Sequence, residues 1–260
     1  MKLKTGWKVS LAFSIHLHKR DIILLEKLQN FFKSAGNIQI NLDGSITYTV
    51  TSIKYLLNII IPHFEKFPLL TKKQGDFELF KQIVELMKNK EHLTKEGLLK
   101  VVSIKASLNK GLSEKLKKSY PEILPVLKPE IKEYENINKN WIAGFVDGEG
   151  SFIVSIVRSK TKIGFAVRLA FSIVQNNRDY KLISKLVNIF NCGRVSENSN
   201  NSGVEFMVNR LSDINEIIIP LFQKYNLISI KNRDFEDFCK IVLRSAQARA
   251  GLLRCRINEK

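Results

Sequence analysis

Hydrophobic and polar residues alternate along two stretches of the chain, Trp7–Leu17 and Phe165–Gln175. In the second stretch an apolar residue stands at every other position, and Arg168 and Ser172 are among the residues between them. Successive side chains of a strand point to opposite faces of its sheet. The alternation therefore predicts two strands, each with one buried face and one more polar face.

A helix and a hairpin are predicted after each strand. Leucines at helical spacing predict helices over Asp21–Phe32 and Asp179–Phe190, and Gly36 and Gly193 stand where these helices should stop. The remaining elements are hairpins at Ile38–Thr51 and Arg194–Arg210, with turns at Asp43–Gly44 and Asn200–Gly203, and helices at 53–64, 76–89, 212–225 and 234–244. The order strand, helix, hairpin, helix, helix predicts an α+β fold in which helices pack on one face of an antiparallel sheet.

The two sets of elements are copies of one another. At a shift of 158 residues, Val9–Ile15 lies on Val167–Ile173, and 28 of the 78 positions from Trp7 to Val84 are identical. This period is too long for a solenoid unit, which has about 20–50 residues. The duplication predicts two copies of one domain in a pseudo-twofold arrangement.

Proline and charge mark the boundary between the copies. Residues 119–138 contain three prolines and carry a net charge of −2, whereas residues 1–118 carry +11 and residues 139–260 carry +8. We expect a first repeat at 1–118, a semi-rigid linker at 119–138 and a second repeat at 139–260, whose divergent tail from about residue 243 receives no role. The total of +17 favours a polyanion such as nucleic acid as the partner, and the alternative is a generally basic soluble protein.

The polar face of the predicted sheets is the candidate surface for nucleic acid. Its residues differ between the repeats, which indicates two surfaces for two halves of a binding site, and the alternative is a merely solvated face. Arg, His, Ser and Thr side chains can reach base edges, and a β-ribbon fits the major groove of DNA. The residues expected to face DNA are Lys8, Ser10, Ser14, His16, Thr47, Thr49, Ile153, Ser155, Arg168, Ser172, Arg194, Ser196 and Glu205.

The segment Asn140–Phe152 gives the strongest indication of chemistry. It is apolar through Val146, contains small residues, and then presents Asp147 and Glu149 in an Asp-Gly-Glu-Gly sequence. Small residues allow helices to pack closely, but an acid at the C-terminal end of a helix opposes the helix dipole. A bound cation would offset that cost, since Mg²⁺ often takes one or two carboxylates together with phosphate oxygens. The alternative is a surface turn that leads into a strand.

Ile142–Gly150 resembles the motif of the LAGLIDADG homing endonucleases in its Glu-containing form, and the similarity runs from about Thr5 to Val242. The resemblance is to the single-chain, intron-encoded branch found in fungal mitochondria. It implies two pseudo-symmetric repeats whose antiparallel sheets form a saddle, a monomer, and a mitochondrial location without a targeting peptide. The implied reaction is hydrolysis of phosphodiesters in a long, asymmetric double-stranded DNA target, with Mg²⁺ or Mn²⁺ as the cofactor.

The resemblance also assigns roles to individual residues. It makes Glu149 the catalytic acid that binds the metal. Lys73 and Lys231 would stabilise charge on the phosphate or orient the attacking water, and Gln175, near the end of a strand, would be a further catalytic residue. Asp147 is expected to have a structural role.

One departure from the family pattern leaves the activity open. A second motif placed 158 residues before Glu149 would lie before Met1, so we expect a truncated first repeat that lacks its motif helix and first strand. The alternatives to an active endonuclease are an intron splicing maturase that binds intron RNA and an inactive DNA-binding remnant. No apolar run reaches the roughly 20 residues that a membrane span needs, so no membrane association is expected.

Overall fold

A computed structural model describes residues 6–161, 163–198 and 202–258, with Asn198 and residues 248–258 described by their backbone alone. The chain divides into two compact units, Met1–Glu133 and Tyr134–Lys260. The division falls within the stretch 119–138 that the sequence assigns to a linker. Among the described helices, none combines the length and the hydropathy that crossing a membrane requires.

The first unit contains a three-stranded antiparallel sheet in the order β1-β3-β2. The strands are β1 (Phe13–His18), β2 (Asn37–Ile40) and β3 (Ser45–Val50). Ile15 lies opposite Tyr48, and the next residue of β1, His16, lies opposite Thr47. One face of this sheet is therefore apolar and the other polar, as the alternation predicts.

Helices cover the apolar face of this sheet. The helices whose residues join the core over it are α1 (Ile22–Phe31), α2 (Ile53–Tyr55), α3 (Ile61–Lys66) and α4 (Lys73–Lys88), with a π-helical turn at Leu56–Ile60. The first unit also contains α5 (Lys95–Ser107), which packs with α4, a further helix, α6 (Glu114–Ser119), and 3-10 turns at Lys19–Asp21 and Glu91–Leu93. The core includes Leu25 of α1, Tyr48 of β3 and Leu56, all fully buried. The Tyr48 hydroxyl donates a hydrogen bond of 2.6 Å to the Ala35 carbonyl, so this buried polar group is satisfied.

The first strand is shorter than the sequence predicts. The predicted strand Trp7–Leu17 begins only at Phe13, because β3 offers six residues for it to pair with. Val9 instead packs against a buried cluster of α4 and α5. Lys8 and Ser10 are exposed, but they lie outside the strand, which corrects the expectation that they continue the polar face of the sheet.

The second unit contains a four-stranded antiparallel sheet in the order β4-β5-β7-β6. Its elements are α7 (Lys139–Glu149), β4 (Gly150–Arg158), β5 (Phe165–Asn176), α8 (Tyr180–Phe190), β6 (Arg194–Asn198), β7 (Gly203–Val208), α9 (Leu211–Asp213), α10 (Ile219–Lys224) and α11 (Lys231–Asn258), with a 3-10 turn at Asn177–Asp179 and a π-helical turn at Ile214–Ile218. Five phenylalanines form a network of ring contacts in its core, namely Phe152, Phe171, Phe206, Phe222 and Phe238.

Both predicted hairpins are confirmed. Gly44, with a φ of 78°, lies in the turn between β2 and β3, where the sequence predicts it. β6 and β7 form the second hairpin. The turn predicted there at Asn200–Gly203 includes positions 200 and 201, which lie outside the described residues.

Gly36 and Gly193 do not end the helices before them. After α8 the left-handed conformation falls on Asn191, with a φ of 52°. Both glycines lie where the chain passes close to the sheet. An added Cβ would be 2.3 Å from the Thr49 carbonyl oxygen at Gly36 and 2.7 Å from the Phe206 ring at Gly193. Glycine is required there by this close approach together with a positive φ, and not as a helix stop.

Two predicted helices contain a π-helical turn that the sequence pattern does not reveal. Each turn comes just before a proline, Pro62 or Pro220, near the start of the α-helix that follows. Proline has no N–H to donate to the carbonyl four residues earlier, and a π-helical turn is one way for a helix to absorb the interruption. The last predicted helix, 234–244, begins at Lys231 and continues through Asn258, so the tail from about residue 243 remains helical.

Candidate active site and sheet surfaces

Helix α7 carries the Asp-Gly-Glu-Gly sequence at its C-terminal end. The Asn138 side chain accepts a hydrogen bond of 2.8 Å from the Asn140 amide and caps the start of the helix. Ile142 and Val146 are fully buried, and the helix contacts β4 and β5. The predicted helix is thus confirmed, and the alternative of a surface turn is wrong.

The end of α7 turns sharply into β4. An added Cβ at Gly150 would lie 2.5 Å from a methyl carbon of Val146 and 2.9 Å from its carbonyl oxygen. Glu149, the last residue of α7, is exposed, and its carboxylate forms no hydrogen bond or ion pair with another described residue. Nothing described lies within 4 Å of an added Cβ at Gly144 or Gly148, so the close packing expected from these small residues is not present there.

Asp147 connects the end of α7 to the start of α11. Its carboxylate accepts hydrogen bonds from the Ile228 amide (2.9 Å), the Ser229 amide (3.2 Å) and the Ser229 hydroxyl (2.5 Å). The Ser229 hydroxyl oxygen in turn accepts a hydrogen bond of 3.1 Å from the Lys231 amide. These contacts leave Asp147 engaged with the protein, in contrast to the exposed acid two residues later.

Lys231 bonds back to the end of α7. Its ammonium group donates to the carbonyl oxygens of Val146 (2.9 Å), Gly148 (3.4 Å) and Gly150 (2.7 Å). The last carbonyls of a helix have no partner within the helix, and a cation near them interacts favourably with the helix dipole. The structure therefore brings Lys231 to the two residues that flank Glu149, but it directs the ammonium group at backbone oxygens.

Gln175, the other predicted catalytic residue of this unit, lies near the end of β5 opposite Val204 and is half-buried. It shares the helix-covered face of the sheet with Ile173, which lies opposite Gly150 at the start of β4. Its side-chain oxygen accepts a hydrogen bond of 3.2 Å from the Asn176 amide. Gln175 is thus on the buried face of the sheet and not on the polar face.

The Lys73 ammonium group in the first unit has different partners. It donates to the Asn109 side-chain oxygen at 2.5 Å and pairs with the Asp76 carboxylate at 3.3 Å. Asp76 is only 5% exposed and also accepts hydrogen bonds from the Lys128 ammonium (2.7 Å) and the Asn109 amide (3.3 Å). Burial by itself would raise the pKa of Asp76, but these hydrogen bonds and the two ammonium charges outweigh it and hold that pKa below its ordinary value.

The polar face of the first sheet is built from hydroxyl, amide and imidazole groups. Ser14 lies opposite Thr49 and His16 lies opposite Thr47, so the four residues predicted on these strands share one face. The Nδ1 atom of His16 is 2.9 Å from the Thr47 hydroxyl oxygen, which links the two strands across this face.

Sequence reasoning missed two residues of this face, Asn37 and Gln39. Both belong to β2 and lie opposite Thr49 and Thr47 of the central strand. The sequence Asn-Ile-Gln-Ile over the four residues of β2 alternates between polar and apolar, and this pattern could have identified them.

The corresponding face of the second sheet is mixed in character. Six of the predicted residues share it, namely Ile153, Ser155, Arg168, Arg194, Ser196 and Glu205. Ser172 belongs to the same face, but it is only 2% exposed, between Ser151 and Met207 on the neighbouring strands. The expectation that Ser172 faces DNA is therefore corrected, because its short side chain is covered by its neighbours.

The donor set at the end of α7 fits a hard divalent cation. No group of three or more His, Cys, Asp or Glu side chains that could hold a metal occurs in the part of the chain that the structure describes. A closed zinc site needs four protein ligands, so it does not fit. A single exposed carboxylate does fit Mg²⁺ or Mn²⁺, which take one or two carboxylates and complete their coordination with phosphate oxygens and water.

Comparison with known proteins agrees with this geometry. The family model described as LAGLIDADG endonuclease matches residues 1–84 and 142–242. Probable intron-encoded endonucleases 2 and 3 of Neurospora crassa are 41% and 40% identical over 91% and 92% of this chain, which covers 54% and 45% of their lengths. An uncharacterized mitochondrial protein of Saccharomyces cerevisiae, RF1, is 23% identical over 91% of this chain and 50% of its own length. The chain thus spans about half the length of these relatives.

Solved structures give the same result. The homing endonuclease I-SmaMI bound to cleaved DNA is 41% identical, with a TM-score of 0.92 over 98% of this chain and 86% of that one. The homing endonuclease I-LtrWI bound to its target DNA is 44% identical, with a TM-score of 0.91 over 94% of this chain and 82% of that one. The matches in sequence and in fold show that the chain belongs to the LAGLIDADG endonuclease family.

Proposed function

We propose that this chain is a site-specific endonuclease that binds double-stranded DNA through the polar faces of its sheets and hydrolyses phosphodiesters at Glu149. The observation that carries the proposal is the exposed carboxylate at the end of α7, which is paired with no described residue. The names of the Neurospora relatives and the cleaved DNA bound to I-SmaMI support the same activity here.

The proposed cofactor is Mg²⁺ or Mn²⁺. A structure of I-SmaMI on an uncleaved DNA target in the presence of calcium ions supports a divalent cation in that neighbour. Such a cation, when bound, polarises a phosphate and lowers the pKa of a water molecule. Glu149 would supply its carboxylate ligand, and Lys231 would hold the last turn of α7. Gln175, which lies on the helix-covered face of the sheet, is proposed as a further catalytic residue.

The two sheet faces would read the two halves of a target by different chemistry. Thr47 and Gln39 of the first face can exchange hydrogen bonds with base edges. Arg168 and Arg194 of the second face match the two acceptors of guanine, and Glu205 can accept from the amino group of cytosine. Because the faces differ, a single chain acting as a monomer would recognise a long and asymmetric duplex. The net charge of +17 adds attraction to the phosphate backbone, which weakens as salt rises.

A mitochondrial location is proposed as well. It is supported by relatives named as intron-encoded endonucleases and by the mitochondrial relative from Saccharomyces cerevisiae. Fractionation of cells of the source organism, followed by immunodetection of the chain, tests this. Detection in the mitochondrial fraction alone is the expected result, and detection only in the cytosol would contradict it.

Cleavage of duplexes selected from a randomised pool tests the proposed activity. With Mg²⁺ we expect a double-strand break at one site, and EDTA should abolish it. Glu149→Gln should bind the selected duplex within about threefold of the unmodified chain but lose more than about 100-fold in cleavage rate, since it removes the carboxylate ligand itself. Glu216→Gln, an exposed acid in the π-helical turn before α10, is the matched control and should cleave normally.

Two outcomes would contradict the proposal. Cleavage retained in Glu149→Gln would refute the assignment of the acid. Salt-dependent binding by the unmodified chain without nicking of either strand would identify an inactive DNA-binding remnant.

A further inference from the structure

We propose that Asp147, Ser229 and Lys231 form a clamp that fixes the direction of Glu149, and that Lys231 serves the reaction by positioning this acid rather than by contacting the phosphate. The inference rests on the proposed function, because that function gives Glu149 its role. It replaces the role that the family resemblance assigns to Lys231, and it gives Ser229 a role that the sequence did not indicate.

The clamp joins two short segments, 146–150 and 228–231, in both directions. Asp147 on α7 accepts three hydrogen bonds from the segment before α11. Lys231 on α11 donates three hydrogen bonds to carbonyls at the end of α7. Glu149 lies between two of these carbonyls, those of Gly148 and Gly150, so the backbone on both sides of the acid is held by one ammonium group.

The donor capacity of Lys231 explains why it acts through the backbone. An ammonium group has three N–H donors, and three carbonyl oxygens lie within 3.4 Å of it. A direct bond from Lys231 to a phosphate oxygen would require breaking at least one of these contacts. Binding the phosphate would therefore release the turn that presents Glu149. Positioning the acid and binding the phosphate compete for the same ammonium group.

Ser229 couples the two halves of the clamp. Its hydroxyl group donates to the Asp147 carboxylate and accepts from the Lys231 amide. This orients the first turn of α11, from which the Lys231 side chain extends. Ser229→Ala removes both bonds, whereas Ser229→Thr keeps a hydroxyl group that can make them. Asp147→Asn presents an NH₂ group where the carboxylate accepted a hydrogen bond from the Ile228 amide, so it also disrupts the clamp.

Two measurements on these variants test the clamp. The first is hydrogen exchange at the Gly150 amide, which bonds to the Val146 carbonyl and reports whether the last turn of α7 is closed. The second is the affinity of the protein–duplex complex for Ca²⁺, measured by calorimetry. Ser229→Ala and Asp147→Asn should speed the exchange about 10-fold or more and weaken Ca²⁺ binding about 10-fold, the range expected when the support of a metal ligand is lost.

The controls separate positioning from a merely structural role. In Ser229→Thr, which keeps a hydroxyl group, the exchange rate and the Ca²⁺ affinity should both stay within about threefold of the unmodified chain. Ser212→Ala removes an exposed hydroxyl group of the same unit, whose bond among the described residues is to its neighbour Asp213, and it should change neither quantity. Lys231→Met should reproduce the effect of Ser229→Ala, because both release the same turn.

The result that would overturn the proposal is unchanged exchange and unchanged Ca²⁺ affinity in both Ser229→Ala and Asp147→Asn. The proposal would also be overturned if Lys231→Met lost Ca²⁺ affinity while Ser229→Ala and Asp147→Asn kept it, since Lys231 would then act directly at the phosphate. The exchange measurement requires neither DNA nor cleavage. If the chain cleaved no duplex, the proposed function would be refuted, but the exchange rates of the variants could still be compared. Failure of the proposed function and failure of the clamp are therefore distinguishable.

Discussion

Lys73 and Lys231 open α4 and α11 at matching positions of the repeat, yet they bind different groups. Each is followed three residues later by an aspartate, Asp76 or Asp234. Lys231 donates to backbone carbonyls of α7, whereas Lys73 is held by a buried Asp76 and by Asn109. Asp234 is exposed. A shared local sequence therefore does not determine which group a long side chain binds. That group is determined by the elements that pack beside the side chain.

The difference separates two properties of the molecule. In the second unit the ammonium group faces helix-end carbonyls next to an exposed acid, so we expect its loss to affect the chemistry. In the first unit the ammonium group compensates a buried carboxylate, so we expect changes there to affect stability. The family resemblance gives both lysines one role, and the structure gives each its own surroundings.

The largest expected effect is on cleavage. Lys231→Met should lower the single-turnover cleavage rate about 10–100-fold, because it releases the turn that presents Glu149. Lys73→Met should change this rate by less than about threefold, because Lys73 pairs with Asp76 and Asn109 and not with the carbonyls beside Glu149. Equal losses in the two variants would break the comparison and restore a shared catalytic role.

The next largest effect is on stability, and it is measured by substituting the two aspartates at matching positions of the repeat, Asp76 and Asp234. Asp76→Ala should lower the free energy of unfolding by about 2 kcal/mol, because it leaves Lys73 and Lys128 without their buried partner, although water solvates these half-exposed lysines in part. Asp234→Ala removes an exposed acid and should change that free energy by less than about 0.5 kcal/mol. Urea denaturation of both variants measures the difference, and equal values would contradict the buried role of Asp76.

A smaller effect is expected on the sheet faces. Gln39→Ala should weaken binding to the selected duplex by about 1 kcal/mol, since it removes a side chain that can reach a base edge. Ser172→Ala should leave binding unchanged, because Ser172 is buried. Fluorescence anisotropy at fixed salt gives both affinities, and the reverse order of effects would show that the exposed face is not the one that binds DNA.

The smallest effect is a pH dependence. The lowered pKa of Asp76 means that folding favours its charged form, so its contribution to stability is fully present above the ordinary value of 3.8 and is lost as the pH falls through the lowered pKa. The difference in urea midpoint between the unmodified chain and Asp76→Asn should therefore be constant from about pH 5 to 7 and shrink in stronger acid. A difference that grows as the pH falls would have the wrong sign.

Alternation and helical spacing were sufficient to predict most of the elements from sequence. The strand Phe165–Gln175 and the helix that carries Glu149 are confirmed, since each depends on the burial of side chains that are close in sequence. The extent of β1 could not be predicted, because it depends on how many residues of β3 are available for pairing. The burial of Ser172 depends in the same way on residues of two other strands.

The clamp could not be predicted for a further reason. The hydrogen bonds between its two segments join residues 81 to 85 positions apart. The partners of the Lys231 ammonium group are backbone carbonyls, which every residue possesses, so no side chain at Gly148 or Gly150 indicates the contact. The family resemblance predicts a structural role for Asp147 and metal binding by Glu149, but nothing in the sequence indicates Ser229.

The claim on which this account depends, that Glu149 holds the divalent cation, is tested most directly by placing Fe²⁺ at the site. With hydrogen peroxide, ascorbate and the target duplex, bound Fe²⁺ reduces the peroxide to hydroxide and a hydroxyl radical that cuts the polypeptide near the metal, and ascorbate returns the iron to Fe²⁺. The account predicts fragments whose ends lie within a few residues of Glu149, and no such fragments from Glu149→Gln. Cuts around Asp76 in place of Glu149, or the same cuts in Glu149→Gln, would contradict it.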